Sequence, residues 1–284
     1  MSPAILQMLE PYECRTPEDY KNALKEIMQE VALLGLYRQK FFDKAAFYGG
    51  TALRIAHKIQ RFSEDMDFTL LRANNNFDLS VYLKGIEQEF AAFGLGLTTK
   101  KNIKNVETSV DSAFLKANTL EYLLMIDGLT NPGSGTNKNE IIKIKLEIDT
   151  SPSMPMGELE TLFLTLPIPF SYQVLSLPSL FGGKLHALLC RQYKSGRVKG
   201  RDYYDFIWYR TKKVSPDLAY LKGKLCESGH WDIKKDFGAA ELKIMLEQKF
   251  ETTDWESAKK DVAPFIKDQA ELDLWSTAFF KSLI

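Results

Sequence analysis

Residues 49–70 read GGTALRIAHKIQRFSEDMDFTL. Asp65 and Asp67, one residue apart in an otherwise apolar run, set tighter limits on the fold than any other stretch. Side chains alternate across a strand, so Asp65, Asp67 and Thr69 share one face while Met66, Phe68 and Leu70 share the other. The second face suits a core. The first puts two carboxylates side by side, where they repel each other unless a cation lies between them. A divalent ion such as Mg²⁺ (or Mn²⁺) removes that penalty, because hard cations take one or two carboxylates together with phosphate oxygens.

A second strand supplies a third acid. IIKIKLEIDT at 141–150 alternates strongly, with Lys143, Lys145, Glu147 and Asp149 on one face and Ile142, Ile144, Leu146 and Ile148 on the other. If it lies beside the first strand, Glu147 or Asp149 joins the pair. Carboxylates on neighbouring strands suit metal-assisted phosphoryl or nucleotidyl transfer. Gly49-Gly50-Thr51, opening a short helix before the acids, offers free N–H groups to an anion and a hydroxyl at Thr51. Taken singly, each feature has an ordinary explanation: a solvated edge, a strand-to-helix turn, cross-strand ion pairs. Their order along the chain lifts the catalytic reading above these.

A second cluster reads GGKLHALLCRQYKSGRVKGRDYYDFIWY at 182–209. Lys184, Leu188 and Arg191 fall on one helix face. Lys194, Arg197, Lys199 and Arg201 crowd the loop that follows, and Asp202 and Asp205 open the next helix. Lys184 can meet a triphosphate and the loop an RNA or nucleotide backbone. The plainer reading is a basic surface loop, with Asp202 capping the helix and Asp205 paired to Arg201. Tyr203, Tyr204, Trp208 and Tyr209 could stack on a base, but core packing explains most of them.

The 284 residues carry 37 Lys plus Arg against 37 Asp plus Glu, so no global basic footprint for nucleic acid exists and any such contact must be local. Cys14, Cys190 and Cys226 are distant and odd in number, which fits reduced thiols in a cytoplasmic protein. No signal peptide or membrane span is read from the chain. Paired histidine spacing, a P-loop and a serine-hydrolase elbow are all missing.

Thr16 to Asp19 reads as a capping box with Pro17 first in a helix over 17–40. Strands follow at 45–48, 64–71, 141–150 and 161–168, with helices at 51–59 and 78–93. Residues 97–126 read as two strands or a strand and a helix, and NPGSGTNKN at 131–139 as a turn. From about 175 helical patterns dominate: 178–193, 201–211, 216–227, 238–250, 254–263 and 269–283. The fold class is α+β, with a mixed α/β domain over 1–170 and a helical domain over 171–284.

The ordered motifs GGT-AL, RFSxDxDF, the Lys143–Glu147 strand, GGKLHALLxR and RDYYDF together resemble the AbiEii/AbiGii toxin family, nucleotidyltransferases of the DNA polymerase β-type superfamily. The resemblance runs from Ala45 to Tyr209. It implies a nucleotidyltransferase-like mixed sheet with flanking helices and a C-terminal helical domain that closes over the nucleotide. It implies metal ligation by Asp65 and Asp67, with Glu147 or Asp149 as third acid. It implies nucleotide contacts from Gly49, Gly50, Thr51, Arg61, Ser63, Lys143, Lys145, Lys184 and Arg201, and a late acid at Asp202 or Asp205. The family often has Gly-Ser where Gly50-Thr51 stands here, and a hydroxyl survives the change. The implied activity is transfer of NMP from an NTP to an acceptor such as the tRNA 3′ end, by the toxin of a toxin–antitoxin or phage-defence pair with a cognate antitoxin. A DxD glycosyltransferase, a phosphoryl transferase, a protein nucleotidylating enzyme and a non-catalytic binding module are the alternatives.

Overall fold

The computed structural model describes residues 2–101, 119–129, 140–191, 198–266 and 268–284. The turn read at 131–139 and the loop residues Lys194 and Arg197 lie outside them. The chain divides into two compact units. The first comprises Met1–His57, Phe62–Pro152 and Leu159–Val174; the second comprises Lys58–Arg61, Ser153–Glu158 and Leu175–Ile284.

The first unit is built on a seven-stranded mixed sheet. Its strands are β1 (Ala45–Tyr48), β2 (Asp65–Leu70), β3 (Gly96–Lys101), β4 (Thr119–Leu129), β5 (Glu140–Asp149), β6 (Leu159–Leu164) and β7 (Phe170–Leu175), in the order β3-β4-β5-β2-β1-β7-β6. β2 is central. It runs antiparallel to β1 and parallel to β5. The alternation read in β5 is realised: Ile142, Ile144, Leu146 and Ile148 are buried, while Lys145, Glu147 and Asp149 are half-buried and Lys143 is exposed.

The helices of this unit are α1 (Pro3–Leu9), α2 (Pro17–Arg38), α3 (Gly49–His57) and α4 (Ser80–Ala92). α2 starts where the capping box places it. The Thr16 hydroxyl accepts from the Asp19 N–H at 3.1 Å, and Asp19 accepts from the Thr16 N–H at 2.9 Å. Ile27, Met28 and Val31 on α2 are fully buried. Phe68 of β2 sits among Phe41 (5.1 Å), Phe47 (5.0 Å) and Phe42 (6.4 Å). Burying one such ring contributes about 1.5–3 kcal/mol, so the apolar face of β2 is firmly held. β7 is a strand that the sequence reading leaves out. Its alternation of Phe170, Tyr172 and Val174 with Ser171 and Gln173 is short and flanked by prolines, and it is fixed by parallel pairing at Phe47–Val174.

The second unit is helical: α5 (Leu177–Cys190), α6 (Gly200–Thr211), α7 (Leu218–Glu227), α8 (Ala239–Glu251), α9 (Trp255–Val262) and α10 (Thr277–Ser282). Tyr203, Phe206, Phe250 and Phe280 are buried together, and Trp255 stacks on Phe280 at 4.4 Å. Tyr203 and Tyr209 are thus core residues, Tyr209 stacking on Phe181 at 4.2 Å. The helix read at 269–283 is broken. Gln269–Leu274 is a 3₁₀ turn, and Ser276 starts α10 anew by accepting from the Phe279 N–H at 3.2 Å. Among the described residues no helix is long and apolar enough to cross a membrane.

Candidate active site

The parallel pairing of β2 and β5 decides which acids meet. Asp65 stands opposite Lys145, Asp67 opposite Glu147 and Thr69 opposite Asp149. Residues in register on paired strands share a face, and neighbouring strands lie about 4.8 Å apart. Asp67 and Glu147 are therefore neighbours on the face opposite Met66, Leu146, Phe68 and Ile148, with Asp65 two residues back along β2. Asp149 lies one step further along, and its carboxylate accepts from the Ser151 N–H at 3.0 Å. Glu147 is ion-paired with Lys145. Among the described residues no group of three or more His, Cys, Asp or Glu is closed into a cation cage.

The turn before α3 presses on this face. Gly49 has φ +82°, which favours glycine. A Cβ at Gly49 would collide with Oδ2 of Asp67 and lie 2.9 Å from its Cγ. Glycine is needed here both for the backbone angle and to leave room for the carboxylate. Gly50 and Thr51 follow, both buried. The Thr51 hydroxyl, read from sequence as a phosphate donor, donates instead to the backbone carbonyl of Asp65. It ties the start of α3 to the start of β2.

Two residues that the sequence reading passes over secure the other approach to β2. Gln29 on α2, 1% exposed, donates its amide to the carbonyls of Ser63 at 3.1 Å and Glu64 at 3.0 Å. Lys25, one turn earlier, reaches Glu64 at 3.1 Å. Ser63 thereby lies in a braced segment leading straight into Asp65. The available signal is a polar side chain inside the apolar pattern ALKEIMQEVALL.

The remaining residues read from sequence belong to the second unit. Arg61 is buried there, 2% exposed, and its Nε and Nη2 donate to the two oxygens of Asp205 at 2.5 and 2.6 Å. Lys184 on α5 lies 2.8 Å from Asp205 and 3.4 Å from Asp202, and Arg191 lies 2.8 Å from Asp202. Asp205 is thus held by Arg61 and Lys184. Arg201 stacks its guanidinium on Phe265, 4.0 Å from the ring centroid. Lys199 takes the N-cap position of α6, and Asp202 sits in the first turn. Burial would raise both aspartates, but Lys184 and Arg191 beside Asp202, and Arg61 and Lys184 beside Asp205, hold each below the usual carboxylate value. Lys199 is pushed down to about 8, by burial first and then by Arg191.

A family model described as nucleotidyl transferase AbiEii toxin, type IV toxin–antitoxin system, matches residues 31–279. The chain belongs to the AbiEii toxin family. The AbiEii match takes in the Gly49–Asp67 segment, β5 and the acid–base cluster on α5 and α6 alike. Two solved structures from Helicobacter pylori are similar to the chain. One, described as a candidate nucleotidyltransferase, shares 16% identity, covers 90% of this chain and 91% of its own, and has a TM-score of 0.47. The other, JHP933, shares 15% identity, covers 92% and 89%, and has a TM-score of 0.48. No curated protein matches the chain. As an AbiEii family member the chain is a nucleotidyltransferase of toxin type.

Proposed function

We propose that this AbiEii chain transfers a nucleoside monophosphate from an NTP to an RNA acceptor, the tRNA 3′ end foremost, as a cytoplasmic toxin with a cognate protein antitoxin, used against phage. The observation that carries the reading is the placement of Asp67 beside Glu147, with Asp65 on the same half-buried face and Gly49 packed against Asp67. Asp65 and Asp67 are two hard oxygen donors, a set that fits Mg²⁺ or Mn²⁺ and leaves the rest of the coordination sphere to phosphate and water. Such an ion, when bound, neutralises phosphate charge and acidifies the attacking hydroxyl.

The rest falls to the chain's own groups. Backbone N–H groups at Gly49 and Gly50 bind phosphate oxygens at the start of α3. Thr51 and Ser63 hold the backbone on either side of Asp65. Glu147 takes the proton of the acceptor hydroxyl as its oxygen bonds to the α-phosphorus and the bridge to the β-phosphate breaks, releasing pyrophosphate. Lys143 and Lys145 attract the anionic substrate. Within the second unit, Lys184 is a phosphate-binding cation. Asp149 acts as a flanking acid rather than a ligand.

The test is incubation with each α-³²P-labelled NTP, Mg²⁺, and total RNA and protein, resolved on a denaturing gel beside Asp67→Ala. A labelled tRNA-sized band missing from the variant is expected. A labelled protein band would move the acceptor to proteins, and an active, well-folded Asp67→Ala would sink the assignment.

A further inference from the structure

Arg61 lies in the motif that leads to the two strand acids, and proximity in sequence suggests that it touches the nucleotide. Its surroundings point elsewhere. The guanidinium is 2% exposed and forks onto both oxygens of an aspartate 144 positions away that is itself fully buried. Its backbone is pinned as well, by an antiparallel bridge to Ile266.

We infer that Arg61 is a positioning residue: through Asp205 it fixes where the Lys184 ammonium stands, and it makes no contact with substrate itself. The inference rests on the reading of Lys184 as a phosphate-binding cation. A guanidinium fork grips a carboxylate in one plane, whereas an ammonium on a four-carbon stem is a mobile point charge. With both its oxygens on Arg61, the Asp205 carboxylate has a fixed orientation, and its Oδ2 receives Lys184 at 2.8 Å from a constant direction. Asp202 holds the ammonium from a second side at 3.4 Å and is itself tied to Arg191 at 2.8 Å. Arg61, Lys184, Arg191, Asp202 and Asp205 together carry one net positive charge, so the acids orient Lys184 without cancelling the attraction for an anion. The Lys184 side chain keeps 15% exposure, against 2% for Arg61. Of the two cations on Asp205, Lys184 is the one a phosphate can reach.

The experiment is a mutant cycle read on kcat and KM for the four NTPs, with thermal melting beside it. Removing Arg61 alone takes two hydrogen bonds from a buried acid, so the informative variant is Arg61→Met with Asp205→Leu, which exchanges the pair for apolar groups of similar volume. It is expected to melt near the wild type and to lose at least about 10-fold in kcat/KM, through KM. The triple variant with Lys184→Met should fall no further than Lys184→Met alone, because Arg61 acts through Lys184. Arg61→Lys, which keeps the charge and loses the fork, should fall nearly as far; full activity there would mean that charge alone matters and would overturn the inference. Losses that multiply with that of Lys184→Met would overturn it too, as would a folded pair variant with wild-type kinetics. If the wild type binds an NTP but transfers nothing, the proposed function fails, and the same cycle read on NTP affinity still decides the role of Arg61. A wild type that binds none of the four NTPs removes both.

Discussion

Gly49→Ala tests the packing of the turn against the acid face, and Gly94→Ala is its control. Gly49 has φ +82° and Gly94 φ +73°, so alanine is strained at both positions. A left-handed alanine costs about 1–2 kcal/mol, offset in part by about 0.4–1 kcal/mol because alanine restricts the unfolded chain. Gly94→Ala, with nothing within 4 Å of the added methyl, should lose about 1 kcal/mol and no more. At Gly49 the methyl also meets the Asp67 carboxylate. Forcing that side chain off its rotamer adds about 0.5–1.5 kcal/mol and displaces it from its place beside Glu147. The expected total is about 1.5–2.5 kcal/mol, and at about 2–4 °C per kcal/mol Gly49→Ala should melt roughly 3–10 °C below the wild type. Misplacing a reacting group by about 1 Å can cost about 100-fold in rate, so transfer should fall by that order for Gly49→Ala and stay intact for Gly94→Ala. Scanning calorimetry and the labelled-NTP assay read the two quantities. Equal destabilisation of the two variants with full transfer by Gly49→Ala would refute the reasoning.

Further outcomes follow from the same contacts. Thr51→Val removes the donor to the Asp65 carbonyl and should destabilise the first unit by about 1–3 kcal/mol, whereas Thr51→Ser keeps the bond and most of the stability; urea melts distinguish them. Gln29→Glu replaces an amide donor with a carboxylate facing the Ser63 and Glu64 carbonyls, and should lower both stability and transfer, with Gln29→Met milder in stability. His186 is pushed down to about 3, by burial first and then by Lys224, His230 and Arg191, while the unfolded chain protonates it near 6.5. Its folded value is depressed, so the stability it contributes is complete above about pH 6.5 and drains away as pH falls towards 3, with a slope of up to about 1.4 kcal/mol per pH unit. His186→Gln should flatten that part of the urea-stability profile.

What the sequence made legible was local. The alternation of 141–150, the capping box at Thr16 and the shared face of Asp65 and Asp67 depend on spacing within a few residues, and the structure reproduces each. Which of Glu147 and Asp149 meets Asp67 was not legible. It is fixed by a parallel register between strands some eighty positions apart, which local periodicity does not encode. The same holds for Arg61, whose motif neighbours are the strand acids but whose partner is Asp205, and for Thr51, whose hydroxyl closes a turn that only the folded chain contains. Gly49 was visible as a turn glycine. Its second function, leaving room for Asp67, exists only once β2 lies alongside. β7 was hidden by its brevity and by the prolines around it, and the buried amide of Gln29 by the apolar helix that carries it.

The measurement that bears most directly on the central claim is product analysis with one NTP labelled in parallel at the α and γ positions, for the wild type and for Asp67→Asn. Nucleotidyl transfer at the Asp65–Asp67 face predicts that the wild type leaves the α label on the acceptor and the γ label in pyrophosphate, and that folded Asp67→Asn does neither. The γ label on the acceptor, or undiminished α transfer by Asp67→Asn, would contradict it.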